Sequence, residues 1–136
     1  MATAPVDDPR PLSPHLQIYR PLVNMMMSIM HRITGVALYF GTLILAGWLI
    51  ALASGPEAFA AFQTYAGSIL GRLVLFGYTW ALLHHMLGGV RHFIWDTGAA
   101  FDRSSVVALS WATLIGSITL TLAVWVLGYT VMGELF

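Results

Sequence analysis

The sequence has no cysteine and no lysine, and charged side chains make up only 9% of its 136 residues. Without cysteine, the chain cannot form disulfides, thiolate zinc sites, iron–sulfur clusters or a thiol nucleophile. Because soluble domains carry roughly 25% charged residues, this composition excludes an ordinary cytosolic enzyme, and its hydrophobicity excludes a disordered chain. The net charge is zero, so the sequence lacks the basic excess that a nucleic-acid binder needs.

Hydrophobic residues make up 58% of the chain, and the mean hydropathy is +0.78. Three long segments contain no charged residue: 33–56, 73–90 and 104–133. A helix crosses the bilayer core with about 20 mostly apolar residues, and the alternation typical of a membrane barrel is missing. We therefore predict an all-α membrane protein with three transmembrane helices, part of a helical bundle that a partner subunit completes. The expected bounds are about 30–53, 64–93 and 105–131, within a transmembrane domain of residues 30–136.

Residues 1–29 are expected to form an extended cytoplasmic arm. Five prolines prevent a long helix there: Pro5, Pro9, Pro11, Pro14 and Pro21. The segment has neither the apolar stretch of a signal peptide nor the basic, acid-poor composition of a mitochondrial transit peptide. Its apolar side chains, among them Leu12 and Leu16, indicate docking on a partner.

The arginines are distributed unevenly between the two ends of the predicted spans. Arg10, Arg20 and Arg32 lie before or at the start of the first span, and Arg91 and Arg103 flank the loop between the second and third spans. Only Arg72 lies at the other end. The positive-inside rule predicts that the N-terminus and the second loop are cytoplasmic. The start at Met1 without a presequence favours the bacterial inner membrane over the mitochondrial inner membrane.

Any metal chemistry must rest on five histidines: His15, His31, His84, His85 and His92. His84 and His85 lie at membrane depth, where ionisable side chains are costly and usually functional. A neutral imidazole can bind haem iron. His85 and His92 share a helix face about 10 Å apart, but His84 and Arg91 have the same spacing.

The neighbouring residues favour His85 as the haem-iron ligand. Its stripe carries the small residues Gly77, Ala81 and Gly89, against which a flat macrocycle could lie, whereas the stripe through His84 carries the bulky Trp80. The alternative stays open, because small stripes also pack membrane helices together, and a histidine can simply hydrogen-bond a neighbouring helix.

Ser28 and Arg32 are four residues apart and would face the same way on a helix. A hydroxyl beside a guanidinium can hold an anion or a ligand carbonyl. Alternatively, Ser28 caps the helix and Arg32 anchors the topology. The predicted topology places these residues on the same side of the membrane as Arg91 and His92. Side chains there, Arg32, Arg91, His31 and His92, could contact the anionic propionates of a haem.

Three segments carry a resemblance to a known family. Residues 10–19 read RPLSPHLQIY, residues 28–35 read SIMHRITG, and residues 85–96 read HMLGGVRHFIWD. In order and spacing they resemble the motifs of the cytochrome b subunit of succinate dehydrogenase, the larger membrane anchor of respiratory complex II. The resemblance extends over nearly the whole chain.

The resemblance implies an enzyme subunit that binds haem b and ubiquinone, with no flavin or succinate site and no catalytic residue of its own. Its heme axial ligand would be His85, and a histidine of a small membrane anchor subunit would supply the second ligand. The positions matching propionate contacts are His31, Arg32 and His92, and those matching the quinone-binding pocket are Ser28 and Arg32. Electrons from succinate would arrive through a flavoprotein subunit and an iron-sulfur subunit.

Other functions remain as alternatives. A quinol:fumarate reductase anchor would run the reverse reaction. A non-haem transporter or channel would use His84, His85 and His92 as a proton relay, and a bare scaffold would bind no pigment. A diheme anchor is excluded by the histidine positions, since His15 and His31 lie at or before the start of the first predicted helix.

Overall fold

The structure, a computed structural model, describes residues 19–133. These residues form four helices and no strand: α1 (Val23–Ala53), α2 (Pro56–Gly67), α3 (Ile69–Asp96) and α4 (Arg103–Val131). Helices α1, α3 and α4 are long and apolar enough to cross a membrane. This confirms the predicted all-helical membrane fold with three spans. Of the predicted N-terminal arm, residues 1–18 lie outside the described residues.

Helix α1 begins at Val23, seven residues before the predicted start at 30. Leu22 precedes it in an extended conformation, with φ −81° and ψ 156°. Pro21 is the last proline of the N-terminal segment, and nothing after it interrupts a helix. Residues 23–29, which the sequence assigned to the arm, are therefore helical. The alternative that Ser28 caps the helix is wrong, because Leu22 occupies the cap position.

The second predicted span, 64–93, is two separate helices. Helix α2 starts at Pro56 after Gly55, whose φ of 111° favours glycine. Ser68 lies between α2 and α3 in an extended conformation, and its hydroxyl accepts a hydrogen bond from the Gly71 main-chain N–H at 3.1 Å. Composition gives no sign of this break, since Ser68 sits within an uncharged run and acts through a local cap.

Helix α4 begins within two residues of its predicted start because Asp102 caps it. The Asp102 carboxylate accepts hydrogen bonds from the Ser104 hydroxyl and from the Ser105 main-chain N–H, the latter at 2.9 Å. The hydrogen bonds from Ser104 and Ser105 hold the pKa of Asp102 well below its usual range.

Helix α3 packs against both α1 and α4, and the residue contacts of each pair run in opposite directions along the two chains, so both pairs are antiparallel. The Tyr78 ring on α3 lies against Gly41 of α1, where a Cβ atom would collide with it. On the other side, the Trp125 indole N–H donates to the Thr79 hydroxyl at 3.2 Å. The N-terminal end of α1, the C-terminal end of α3 and the N-terminal end of α4 therefore lie together. We call this the histidine end, because it holds His31, His85 and His92.

The interior of the described bundle is polar, and its outside is apolar. Only Met27 and Ala81 are buried hydrophobic residues in the described range, whereas the buried polar ones are Thr34, His84, Arg91, Ser110, Thr113, Ser117 and Thr121. Large apolar side chains cover the outer faces of the helices. In lipid, helices associate through small and polar contacts, so this distribution suits a membrane bundle.

Candidate functional site

His85 faces helix α1. Its Nδ1 atom lies 3.0 Å from the His31 main-chain carbonyl oxygen and 3.3 Å from the Thr34 hydroxyl oxygen. The Thr34 hydroxyl donates its own hydrogen to the Met30 carbonyl at 2.8 Å. Because both neighbours of Nδ1 act as acceptors, the ring proton belongs on Nδ1 and Nε2 keeps its lone pair. This is the arrangement in which a backbone carbonyl orients a metal-binding histidine.

His31 lies flat against His85 and fills a gap beside a glycine. The two ring centroids are 3.9 Å apart, and the ring planes differ by 7°. His31 also approaches Gly88 so closely that a Cβ atom there would collide with its Nδ1 atom. Gly35 in turn leaves room for the His85 ring, since a Cβ at that position would lie 3.0 Å from Cε1 of His85.

His92 completes the group of rings at the histidine end. Its centroid is 5.2 Å from that of His31 and 5.3 Å from the Trp95 ring, and its side chain is exposed. The structure therefore brings His31, His85 and His92 together from α1 and α3. Sequence spacing had placed only His85 and His92 on one face.

Ser28 and Arg32 contact one another on the outer side of α1. Arg32 Nη2 lies 3.5 Å from the Ser28 hydroxyl oxygen. Ser28 is half-buried and Arg32 is exposed. A hydroxyl and a guanidinium are thus presented side by side at the histidine end, as expected for residues four apart.

His84 and Arg91 point away from this group, into the contact between α3 and α4. His84 is 1% exposed, and its Nδ1 atom lies 3.1 Å from the Ser117 hydroxyl oxygen. Arg91 is 2% exposed, and its Nη1 atom lies 3.4 Å from the Ser110 hydroxyl oxygen. Arg91 thus lies at the same end of the bundle as Arg32, as expected, but its side chain is buried against α4 and is not presented beside Arg32 to meet a propionate.

Three buried polar atoms near the histidine end have no hydrogen-bond partner in the described residues: His31 Nδ1, Arg91 Nε and Trp95 Nε1. Buried polar groups are normally paired. Their concentration here fits an end of the bundle that receives polar atoms from a group or subunit beyond this part of the chain. Within residues 19–133, no cluster of three or more His, Asp or Glu side chains is arranged to hold a metal ion.

Sequence reasoning missed several residues of this site. Thr34 belongs to the second motif but was assigned no role, and Ser117 and Trp95 were passed over. The signal for Ser117 was available, since hydroxyl residues recur at helical spacing along α4, from Ser110 to Thr121. The sequence alone did not indicate which helix this row of hydroxyl residues on α4 would face.

The chain is similar to proteins of one family. The model for the succinate dehydrogenase/fumarate reductase transmembrane subunit matches residues 7–124. A succinate dehydrogenase cytochrome b556 subunit of Paracoccus denitrificans is 42% identical over 111 residues, covering 82% of this chain and 85% of the relative. The subunit of the same description from Rickettsia felis is 38% identical over 117 residues, covering 86% and 91%. A mitochondrial cytochrome b560 subunit of Sus scrofa is 36% identical over 107 residues, covering 74% and 63%.

Proposed function

Because the chain belongs to the succinate dehydrogenase/fumarate reductase transmembrane subunit family, we propose that it is the haem b- and ubiquinone-binding membrane anchor of a succinate:ubiquinone oxidoreductase. The observation that carries this proposal is the setting of His85. Its Nδ1 atom faces two acceptors from α1, so Nε2 is the free ligand atom. The relatives that are named cytochrome b subunits support the same conclusion.

The residues at the histidine end fit a haem b that is shared between two subunits. His85 would bind the iron through Nε2, and His31 would hold the ring plane of His85 through the stacked contact at 3.9 Å. We assign the second iron ligand to a histidine of a small membrane anchor subunit, as the family resemblance implies. A bound haem b supplies a one-electron iron couple.

The propionate groups of that haem are anionic, and the histidine end presents donors for them. We assign these contacts to His31, Arg32 and His92. Arg32 and His92 are exposed at this end, and the His31 ring lies beside that of His92, with centroids 5.2 Å apart. Charge-assisted hydrogen bonds from arginine to a carboxylate are among the stronger ones in proteins, so Arg32 is expected to contribute most.

Ser28 and Arg32 are assigned to the quinone. Their side chains lie 3.5 Å apart and can donate together to one carbonyl oxygen of the ring. The hydroxyl supplies a neutral hydrogen bond, and the guanidinium stabilises negative charge that develops on that oxygen during reduction. Arg32 thus lies between the two ligands, and the other walls of the pocket come from the partner subunits.

The partners follow from the enzyme class. A succinate dehydrogenase subunit works with a flavoprotein subunit and an iron-sulfur subunit, which hold the succinate and flavin chemistry. The apolar outer faces of the helices fit lipid and the small membrane anchor subunit. We place the chain in the bacterial inner membrane, with the histidine end and the N-terminus on the cytoplasmic side, following the arginine distribution.

The alternatives differ in how well the structure supports them. The family name includes fumarate reductase, so a quinol:fumarate reductase anchor is the second candidate, although the relatives named above are succinate dehydrogenase subunits. A histidine relay across the membrane has less support. The histidines named for such a relay do not line up, because His84 meets the Ser117 hydroxyl on α4 whereas His85 meets the His31 carbonyl on α1.

A reduced-minus-oxidised absorption spectrum of the purified complex tests the proposal. A b-type haem band, present in proportion to this subunit, is the expected result. Succinate-linked reduction of ubiquinone in the same preparation separates the enzyme from a scaffold. A complex that contains this chain without any haem band would overturn the proposal.

A further inference from the structure

His84 stands next to the proposed haem ligand in sequence and points to the opposite helix. Consecutive residues of an α-helix are about 100° apart around its axis. His85 meets the His31 carbonyl on α1, while His84 meets the Ser117 hydroxyl on α4. A single rotational setting of α3 therefore has to satisfy both histidines.

The environment of His84 is closely defined. His84 is the largest of the fully buried side chains in the described residues, with 1% of its surface exposed. Ser117 donates its hydroxyl hydrogen to the Leu114 carbonyl at 2.9 Å, so its oxygen accepts from Nδ1 of His84 at 3.1 Å. The Trp80 ring packs one turn away, with its centroid 5.1 Å from that of His84.

The neighbours of Ser117 on α4 make no side-chain hydrogen bond to α3 in the described residues. Thr113 and Thr121 lie one turn to either side and are buried, but their hydroxyls donate to the Leu109 and Ser117 carbonyls at 2.8 and 2.7 Å. Of the side-chain hydrogen bonds between α3 and α4 in the described residues, the one between His84 and Ser117 is nearest to His85.

We propose that His84 and Ser117 are positioning residues whose hydrogen bond sets the rotation of α3 and so holds His85 against the His31 carbonyl. The inference rests on the proposed haem binding by His85. A histidine ligand becomes more basic when its other ring nitrogen donates to a carbonyl. A loosened rotation of α3 weakens that hydrogen bond, and the electronic properties of the haem change with it.

The test uses the assembled, purified complex and four variants of this chain. Ser117→Ala removes the acceptor, and His84→Leu removes the donor. His84→Asn keeps an N–H near the position of Nδ1 and is the conservative replacement. Thr113→Val is the matched control, since it removes a buried hydroxyl of α4 that bonds only to its own helix.

Haem content after gel filtration, the spectrum of the oxidised haem and its midpoint potential are measured for each variant. Ser117→Ala and His84→Leu should retain haem but lose it about threefold faster, the effect of one average hydrogen bond between membrane helices. Both should shift the midpoint potential and broaden the spectrum. His84→Asn and Thr113→Val should match the unaltered protein.

A wild-type spectrum and potential in both Ser117→Ala and His84→Leu would overturn the inference, as would an equal shift in Thr113→Val. If His84→Leu does not assemble, Ser117→Ala decides, because it removes only one oxygen atom. Failure of the proposed function looks different. In that case the unaltered complex has no haem, or His85→Ala retains it in full.

Discussion

The imidazole rings of His31 and His85 lie parallel, with centroids 3.9 Å apart and planes 7° apart. Helix α1 thus supplies His85 with two constraints, a carbonyl acceptor for Nδ1 at 3.0 Å and a flat wall for the ring. Since the acceptor and the wall both belong to His31, this residue constrains both the tautomer and the ring plane of the proposed ligand.

Replacing the two adjacent histidines separates the ligand from its neighbour. We expect His85→Ala to abolish or greatly loosen haem binding, because it removes the free Nε2 atom. His84→Ala should largely retain the haem, since His84 is buried against α4. Reduced-minus-oxidised spectra of the two purified complexes measure this, and haem loss confined to His84→Ala would show that the ligand assignment is wrong.

Gly88→Ala should displace His31 and weaken the haem site. A Cβ atom at Gly88 would collide with Nδ1 of His31, and such overpacking typically costs about 1–3 kcal/mol. Gly128→Ala is the matched control, because a Cβ there meets nothing within 4 Å and Gly128 lies near the C-terminal end of α4, away from the histidine end. The complex with Gly88→Ala should have a lower haem content and a lower thermal stability than the complex with the control substitution. Equal values for the two variants would mean that the contact of His31 with Gly88 does not support the site.

Ser28→Ala should impair quinone reduction while leaving succinate oxidation by a soluble dye nearly intact. The dye takes electrons before the membrane site, so only the last step suffers. A neutral hydrogen bond has a net worth of about 1 kcal/mol, which corresponds to a severalfold loss. The two steady-state assays are run on the same preparation. Equal losses in both would indicate that the substitution merely disassembles the complex.

Arg32→Ala should cost more than Ser28→Ala, because a cation stabilises the charge that develops on the quinone oxygen. It should also alter the haem spectrum through the lost propionate contact. Arg32→Lys should rescue only in part, since an ammonium lacks the planar fork of the guanidinium. Quinone kinetics that stay unchanged in both alanine variants would favour Arg32 as a topology anchor only.

The chain by itself should be unstable. Buried polar atoms at the histidine end have no hydrogen-bond partner in the described residues, and His85 would bind the haem from one side only. Expression in a membrane with and without the small anchor subunit should give a large difference in the yield of folded, haem-containing protein. A monodisperse chain that carries a full haem complement without its partners would contradict this expectation.

The cap of α4 gives a prediction for pH. The hydrogen bonds that Ser104 and Ser105 donate to Asp102 depress its pKa in the folded state, so the charged cap stabilises α4 at near-neutral pH. This contribution declines as the pH falls below about 3.9, the ordinary value for aspartate. The thermal stability of the complex should therefore fall more steeply with acid than that of an Asp102→Asn variant, and parallel curves would argue against the cap.

Much of the fold and part of the site were predictable from composition and spacing. The three uncharged runs predicted the three spans, and the start of α4 was predicted to within two residues. The break at Ser68 was missed because it depends on a hydroxyl that caps α3, and hydropathy does not register a single cap. The early start of α1 was missed because the expected arm was extended past Pro21, although no helix breaker follows it.

The sequence by itself determined that the chain spans a membrane, since transfer into lipid depends on the apolar content of a segment of given length. It also placed His85 and His92 on one face, because the helical repeat relates residues seven apart. Only the tertiary structure decided which helix each face meets. The rotation of α3 results from its packing on both α1 and α4, and this rotation turns His85 to His31 and buries His84 and Arg91 against the hydroxyls of α4.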